Sequence, residues 1–306
     1  MRFLGLLRGR FLLIIIALIG LAIYWFSNQK PVGYFERRQV LTLSLDDEMK
    51  LGRNAYNKIL ADEAGNVICS SKDKNCQSDV VYRNAVVEVG ADLRDAAKIH
   101  DAMLVEEGEL KSSRAEKFDW QFNVIHSDQP NAFCLPGGYV AIYTGIMDVT
   151  GNFDGRLTPE DVADRDLLAI VMGHEIAHAL LRHGGERMSQ GRVFQIGQLA
   201  IGTAAGDHRA AQAFGLAAQT GVLLPFSRQH ETEADELGLY LVARACYDPR
   251  GAPDLWLRMN ELSAGQKPPE FLSTHPSSIR RAENFETWMP KALELYEASG
   301  CPPLSE

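Results

Sequence analysis

Two histidines and a glutamate, His174, Glu175 and His178, sit inside a run that is otherwise almost wholly apolar, from Leu167 to Leu181. Residues four apart on a helix lie one above the other, so His174 and His178 share a face and can bind one metal ion. Glu175 then stands beside it as general base for a water. Leu168, Ile170, Val171, Met172, Ile176 and Leu180 make the segment apolar nearly all round, the pattern of a buried core helix. Three polar side chains in such a helix are costly without partners. Zinc would supply that partner; a core helix with incidental histidines leaves the cost unmet.

The chain has 306 residues and 46% hydrophobic composition, enough for a large buried core. Its 40 acidic residues outnumber 31 basic ones, which lacks the electrostatic footprint of a nucleic-acid binder and argues against DNA or RNA as a partner. Near the N-terminus, Phe11 to Phe26 is an uncharged apolar run preceded by Arg2, Arg8 and Arg10. At about 1.5 Å per residue it covers roughly 24 Å, a little short of a hydrocarbon core, with Tyr24 and Trp25 suited to the far interface. No small-residue cleavage pattern and no lipid-accepting cysteine follows it. The run therefore predicts an uncleaved membrane anchor with a cytoplasmic N-terminus, placing everything after Lys30 across the membrane.

Five cysteines allow two disulfides and one spare. In an oxidising compartment Cys69 and Cys76 would close a short polar loop, and Cys246 could pair with Cys301 near the C-terminus. Cys134 is left over, as a small packed side chain or, less favourably, a fourth metal ligand.

Between these landmarks, Asp46 to Glu63 and Val86 to Glu109 read as helices, while Phe118 to Ile125 and Tyr139 to Tyr143 read as strands. Asn131 to Gly138 reads as turn chemistry joining the strands. Thr158-Pro159-Glu160-Asp161 is a helix-start signature upstream of the motif helix. From Gly184 to Phe226 the composition shifts to Ala, Gly and Gln, which predicts a soluble or interfacial helical hairpin, too polar for two further spans.

A catalytic zinc takes three protein ligands and keeps one open position, so another donor is needed after His178. His183 falls about half a helical turn from His174 and would face away if the helix continues. The acidic segment Glu231 to Gly238 is a better source. On a helix Glu231, Ala234, Asp235 and Gly238 form one stripe, whose small residues permit close approach to the motif helix. Glu231 could then ligate the metal while Asp235 accepts a hydrogen bond from a ligating histidine. Spacing alone leaves open that this is a solvated acidic face.

The blocks Asn131-Ala132-Phe133 through Gly138, His174 to His178, Ser227 to Asp235 and Thr274-His275-Pro276-Ser277, in that order, resemble the BepA-like and HtpX-like membrane-associated zinc metallopeptidases. That family also contains prenyl-protein CAAX proteases and a mitochondrial inner-membrane peptidase. The resemblance implies Glu231 as third zinc ligand beside His174 and His178, and Glu175 as the base. It also places His275 near the metal, either stabilising the oxyanion or filling the open metal position in a closed state.

The resemblance further implies an α+β fold, a mainly helical zincin-like peptidase domain with a small β-sheet behind an N-terminal transmembrane helix. The expected division is an anchor over 1–30, a helical region over 31–117 and the peptidase over 118–306. The expected activity is that of a zinc endopeptidase, one Zn2+ per chain, acting on unfolded or misassembled envelope proteins in quality control. The other class of function is a chaperone or assembly factor with a latent site. The polar hairpin points to the periplasm-facing branch, and so to a single-pass protein of the bacterial inner membrane. The strand Tyr139 to Tyr143 is the expected docking edge for an extended substrate.

Overall fold

The computed structural model describes residues 2–68, 80–150, 165–206, 208–219, 224–263, 275 and 279–304. In chain order the elements are α1 (Arg2–Ser27), β1 (Gln29–Pro31), β2 (Arg38–Val40), α2 (Leu45–Asp62), α3 (Val80–Glu106), β3 (Gln121–Ile125), β4 (Ala132–Leu135) and β5 (Tyr139–Tyr143). They are followed by α4 (Met147–Thr150), α5 (Arg165–Leu180), α6 (His183–Ala205), α7 (His208–Ala218), α8 (Leu224–Arg244), α9 (Ala252–Ser263) and α10 (Ile279–Ala298). The protein is mainly helical with small sheets, as the α+β expectation has it. The Cys69–Cys76 loop and the Thr158 to Asp161 helix start lie outside the described residues.

The chain forms two compact units. One comprises Met1–Asp47 and Arg182–His230. In it β1 and β2 pair antiparallel, with Lys30 opposite Gln39, and α6 packs against α1 and α7 as the expected hairpin. Trp25 meets Phe194 with ring centroids 6.0 Å apart. Glu186 is fully buried and held by Arg37 at 3.0 Å and His230 at 2.9 Å, so its charge is compensated.

The expected transmembrane anchor is not found: among the described residues no helix is long and apolar enough to cross a membrane. Within α1, continuous from Arg2 to Ser27, Arg2, Arg8 and Arg10 all precede Phe11, and the uncharged stretch from Phe11 to the helix end at Ser27 covers about 26 Å at about 1.5 Å per residue, against a core of about 30 Å.

The second unit, Glu48–Leu181 with Glu231–Glu306, holds the three-stranded sheet. Its strand order is β3-β5-β4, with β3 parallel and β4 antiparallel to β5. Tyr139 to Tyr143 is therefore the central strand, with both edges paired, and cannot be the docking edge expected for a substrate. The strand next to it was hidden in what reads as a turn: Ala132–Leu135 pairs with β5, Cys134 opposite Val140. The turn itself is the shorter Pro136-Gly137-Gly138, where positive φ values of 102° and 83° fall on glycines, which tolerate them. Alternation along β4 buries Ala132 and Cys134, while Phe133 and Leu135 pack on Tyr56, Tyr139 and Ile125.

Tyr56 is fully buried in that cluster and donates to the Val140 carbonyl at 2.6 Å. Behind the sheet, α3 packs on β3 and α5, and α5 packs on β4. At the other end a disulfide joins Cys246 to Cys301, as expected, closing a span of 55 residues around α9 and α10.

Candidate active site

The motif helix α5 is buried from Leu168 through Ala177, as the apolar residues around its polar His174 and Glu175 require. Its C-terminal carbonyls are orphans of helix geometry, and Arg114 answers one by donating to Leu180 O at 2.6 Å. Arg182, at φ 61°, then turns the chain and ends the helix. His183 consequently begins α6, stacked on His230 with ring centroids 4.1 Å apart and buried; it takes no part in the cluster below.

Helix α8 crosses α5 almost backbone to backbone. A Cβ added to Gly173 would stand 3.0 Å from the Gly238 carbonyl oxygen, and one added to Gly238 would stand 2.8 Å from the His174 nitrogen. With Ala234 fully buried one turn earlier, the stripe of small residues brings Glu231 and Asp235 up to the histidines.

His174, His178, Glu231 and His275 form a group that could hold a metal ion, their donor atoms all within 4.8 Å of one another. His174 Nε2 lies 3.1 Å from His178 Nε2 and 3.5 Å from Glu231 Oε2. His178 Nε2 is 3.6 Å from Glu231 Oε1. His275 Nδ1 is 3.3 Å from His174 Nε2 and 3.0 Å from Glu231 Oε2. Four donors at about 2.0–2.2 Å from a tetrahedral ion stand roughly 3.3–3.6 Å apart, so these spacings approximate the edges of a zinc-sized tetrahedron. A second observation agrees. Glu231 Oε1 and Glu175 Oε1 are buried without a hydrogen-bond partner, a cost that a cation at this position would relieve. Cys134 is buried on β4 and does not belong to the group.

The electrostatics separate the two glutamates. Burial pushes the Glu175 carboxyl up, only partly opposed by His275 and His174. Burial would raise Glu231 as well, but His174, His178 and His275 outweigh it and hold Glu231 well below the usual carboxylate range. His174 is pushed down by burial and lifted by Asp235 and Glu231, which win and place it at about 9. Glu175 Oε1 lies 3.4 Å from His275 Nε2, at the mouth of the same cluster.

Beneath His174, Asp235 Oδ1 is 3.0 Å from Nδ1. Two neighbours complete the surroundings: Arg281, which in the sequence could neutralise nearby carboxylates without a catalytic role, and Trp256, to which the sequence gives no role. Arg281 grips Asp235, and Trp256 lies against the Arg281 guanidinium on one side and His174 on the other, its ring centroid 5.3 Å from the imidazole. Only the apolar periodicity of Leu255, Trp256 and Met259 marks α9, which reads as ordinary core. Glu233 is buried but stands outside the metal-capable group.

Comparison with known proteins agrees with this geometry. A model of peptidase family M48 matches residues 94–289. The mitochondrial metalloendopeptidase OMA1 of Schizosaccharomyces pombe is 32% identical over 284 residues, covering 92% of this chain and 73% of the relative. Its namesake in Saccharomyces cerevisiae is 30% identical over 290 residues, covering 92% and 75%. The Escherichia coli beta-barrel assembly-enhancing protease is 31% identical over a shorter 182 residues, covering 55% and 34%. These relatives overturn the expected location in a bacterial inner membrane with a periplasmic catalytic domain. Proteins similar over nearly the whole chain are mitochondrial, while the bacterial relative matches about half of it. A polar hairpin discriminates poorly because many surfaces can solvate it. The family model, relatives similar over nearly the whole of this chain and the metal-capable donor cluster converge: the chain belongs to peptidase family M48 and is a metalloendopeptidase.

Proposed function

We propose that this chain is a zinc-dependent endopeptidase that cuts unfolded or misassembled proteins, with His174, His178 and Glu231 holding the metal and Glu175 acting as general acid and base. The observation that carries the reading is the set of four donors at spacings close to those of a zinc-sized tetrahedron, beside a buried Glu175 oxygen that has no hydrogen-bond partner. Zinc, when bound, supplies Lewis-acid polarisation and acidifies water. Glu175 takes the proton of the attacking water at its carboxylate and delivers it to the leaving amine. Burial pushes its carboxyl up, the direction that favours returning the proton to the leaving amine. The neighbouring histidines hold the Glu231 carboxyl well below the usual carboxylate range, which suits a negatively charged donor.

The docking edge in this reading is β4. Among the described residues its outer side is unpaired, and it packs directly on α5. Strand addition there reads peptide backbone and no particular side-chain sequence, which suits quality-control substrates.

His275 Nδ1 stands where a fourth donor would, which supports a latent closed state as a second element of the reading. Removing that side chain with His275→Ala should raise basal hydrolysis several-fold; a loss of activity would instead assign it to oxyanion stabilisation.

The test uses the full chain and reduced, unfolded casein. Fragments should appear with zinc, vanish on chelation and return on zinc addition. A zinc-loaded protein that keeps casein soluble without cutting it would favour the chaperone reading.

A further inference from the structure

Arg281 is almost completely buried, at 4% exposure, and a buried guanidinium is retained only where its charge is answered. Here Nε donates to Asp235 Oδ2 and Nη2 to Asp235 Oδ1, both at 2.7 Å, a two-pronged grip on both carboxylate oxygens. Nη1 lies 3.4 Å from Glu231 Oε2. The guanidinium carbon sits 3.5 Å over the Trp256 ring, and the same ring meets His174 at 5.3 Å. The side chain thus touches one metal-capable residue directly and a second through two intermediaries.

We propose that Arg281 is a positioning residue for the metal site: its fork locks the rotation of Asp235, and Asp235 thereby holds the His174 ring with Nε2 aimed at the donor cluster. Asp235 Oδ1 is shared between Arg281 Nη2 and His174 Nδ1, so any swing of the carboxylate about its own axis breaks both contacts at once. A planar fork constrains that rotation and a lysine ammonium does not, because the ammonium is a point charge on a flexible stem. Trp256 presses on the guanidinium and the imidazole together, which keeps the two in register. Arg281 also brings Nη1 to Glu231, so one buried guanidinium meets both carboxylates of α8. A residue serving only to join α10 to α8 would need none of the contacts to Glu231 or the shared Asp235 oxygen.

This inference rests on the metal reading above, and the experiment separates the two. Zinc affinity is measured by competition with a chromophoric chelator, on full chains carrying Glu175→Gln to prevent self-cleavage. Unfolding of the metal-free proteins is followed in parallel. Arg281→Gln and Arg281→Lys should each weaken zinc 10- to 100-fold, the range seen when a partner of a ligand is removed. The lysine variant keeps the charge and guards against simple misfolding. In an Asp235→Asn background the same changes should add less than about threefold, because the carboxylate through which Arg281 acts is already lost. Wild-type affinity in Arg281→Lys, or a full additive loss in the Asp235→Asn background, would overturn the positioning role. If His174→Ala itself left zinc affinity unchanged, the metal reading would fail first.

Discussion

A methyl group on Gly238 would stand 2.8 Å from the backbone nitrogen of His174, closer than packed carbon and nitrogen atoms approach. The obstacle is main chain, which cannot swing aside as a side chain would. Alanine gains about 1 kcal/mol of helix propensity over glycine, but overpacking at such a contact costs about 1–3 kcal/mol. Gly238→Ala should therefore lower unfolding stability despite the better helix former. It should also weaken zinc binding, because α8 is pushed off α5. Chemical denaturation and chelator competition read the two effects; a more stable variant would mean that the helices are free to part.

The acidic residues of α8, alike in composition, should differ sharply in consequence. Glu231→Gln removes a charged donor from the cluster and should abolish both tight zinc binding and hydrolysis. Asp235→Asn leaves the donors in place and should cost about 10- to 100-fold in affinity. Glu233 lies roughly 200° around the helix from Glu231, so Glu233→Gln should leave zinc affinity unchanged. Zinc loss on Glu233→Gln with an unaffected Glu231→Gln would show that the helical register is wrong.

The bond between Cys246 and Cys301 closes a loop of 55 residues in separation and should stabilise the metalloprotease unit by about 2–4 kcal/mol, mainly through the unfolded state. Replacing both with serine should lower the denaturant midpoint by the corresponding amount. Identical midpoints for the two proteins, made under oxidising conditions, would contradict the crosslink.

His100, on α3, is pushed down to about 4, first by burial and then by the nearby Arg244 charge. Its neutral form is the folded form. The unfolded chain binds the extra proton between about pH 6.5 and 4, so this contribution is whole above the unfolded pKa. It is lost as pH falls through that window, and after allowance for partial exposure it amounts to about 2 kcal/mol. The difference in stability between pH 7 and pH 4 should be smaller in His100→Gln than in the parent. Equal slopes would show that His100 titrates alike in both states.

Sequence legibility followed the strength of local pattern. Helix α5 was readable because polar His174, Glu175 and His178 interrupt an apolar run, and α8 because Glu231, Ala234, Asp235 and Gly238 repeat at helical spacing. Strand β4 was not, since Ala132 to Leu135 is short, lies between Asn131 and Pro136, and becomes a strand only by pairing with β5. The same omission misplaced the docking edge on β5. Trp256 carried no signal beyond core periodicity, and the grip of Arg281 on Asp235 depends on a tertiary contact between distant segments. The anchor expectation rested on the apolar run after Arg10, whereas among the described residues no helix is long and apolar enough to cross a membrane.

The central claim is that one cluster of side chains both holds zinc and cuts peptide bonds, with Glu175 needed only for the second. Zinc content and casein hydrolysis measured on the same preparations of the full chain, wild type beside Glu175→Gln, test it most directly. The account predicts about one zinc per chain in both proteins, and hydrolysis lowered at least about 100-fold in the variant. Freshly purified wild type without tightly held zinc, or a Glu175→Gln protein that cuts as fast as its parent, would contradict it.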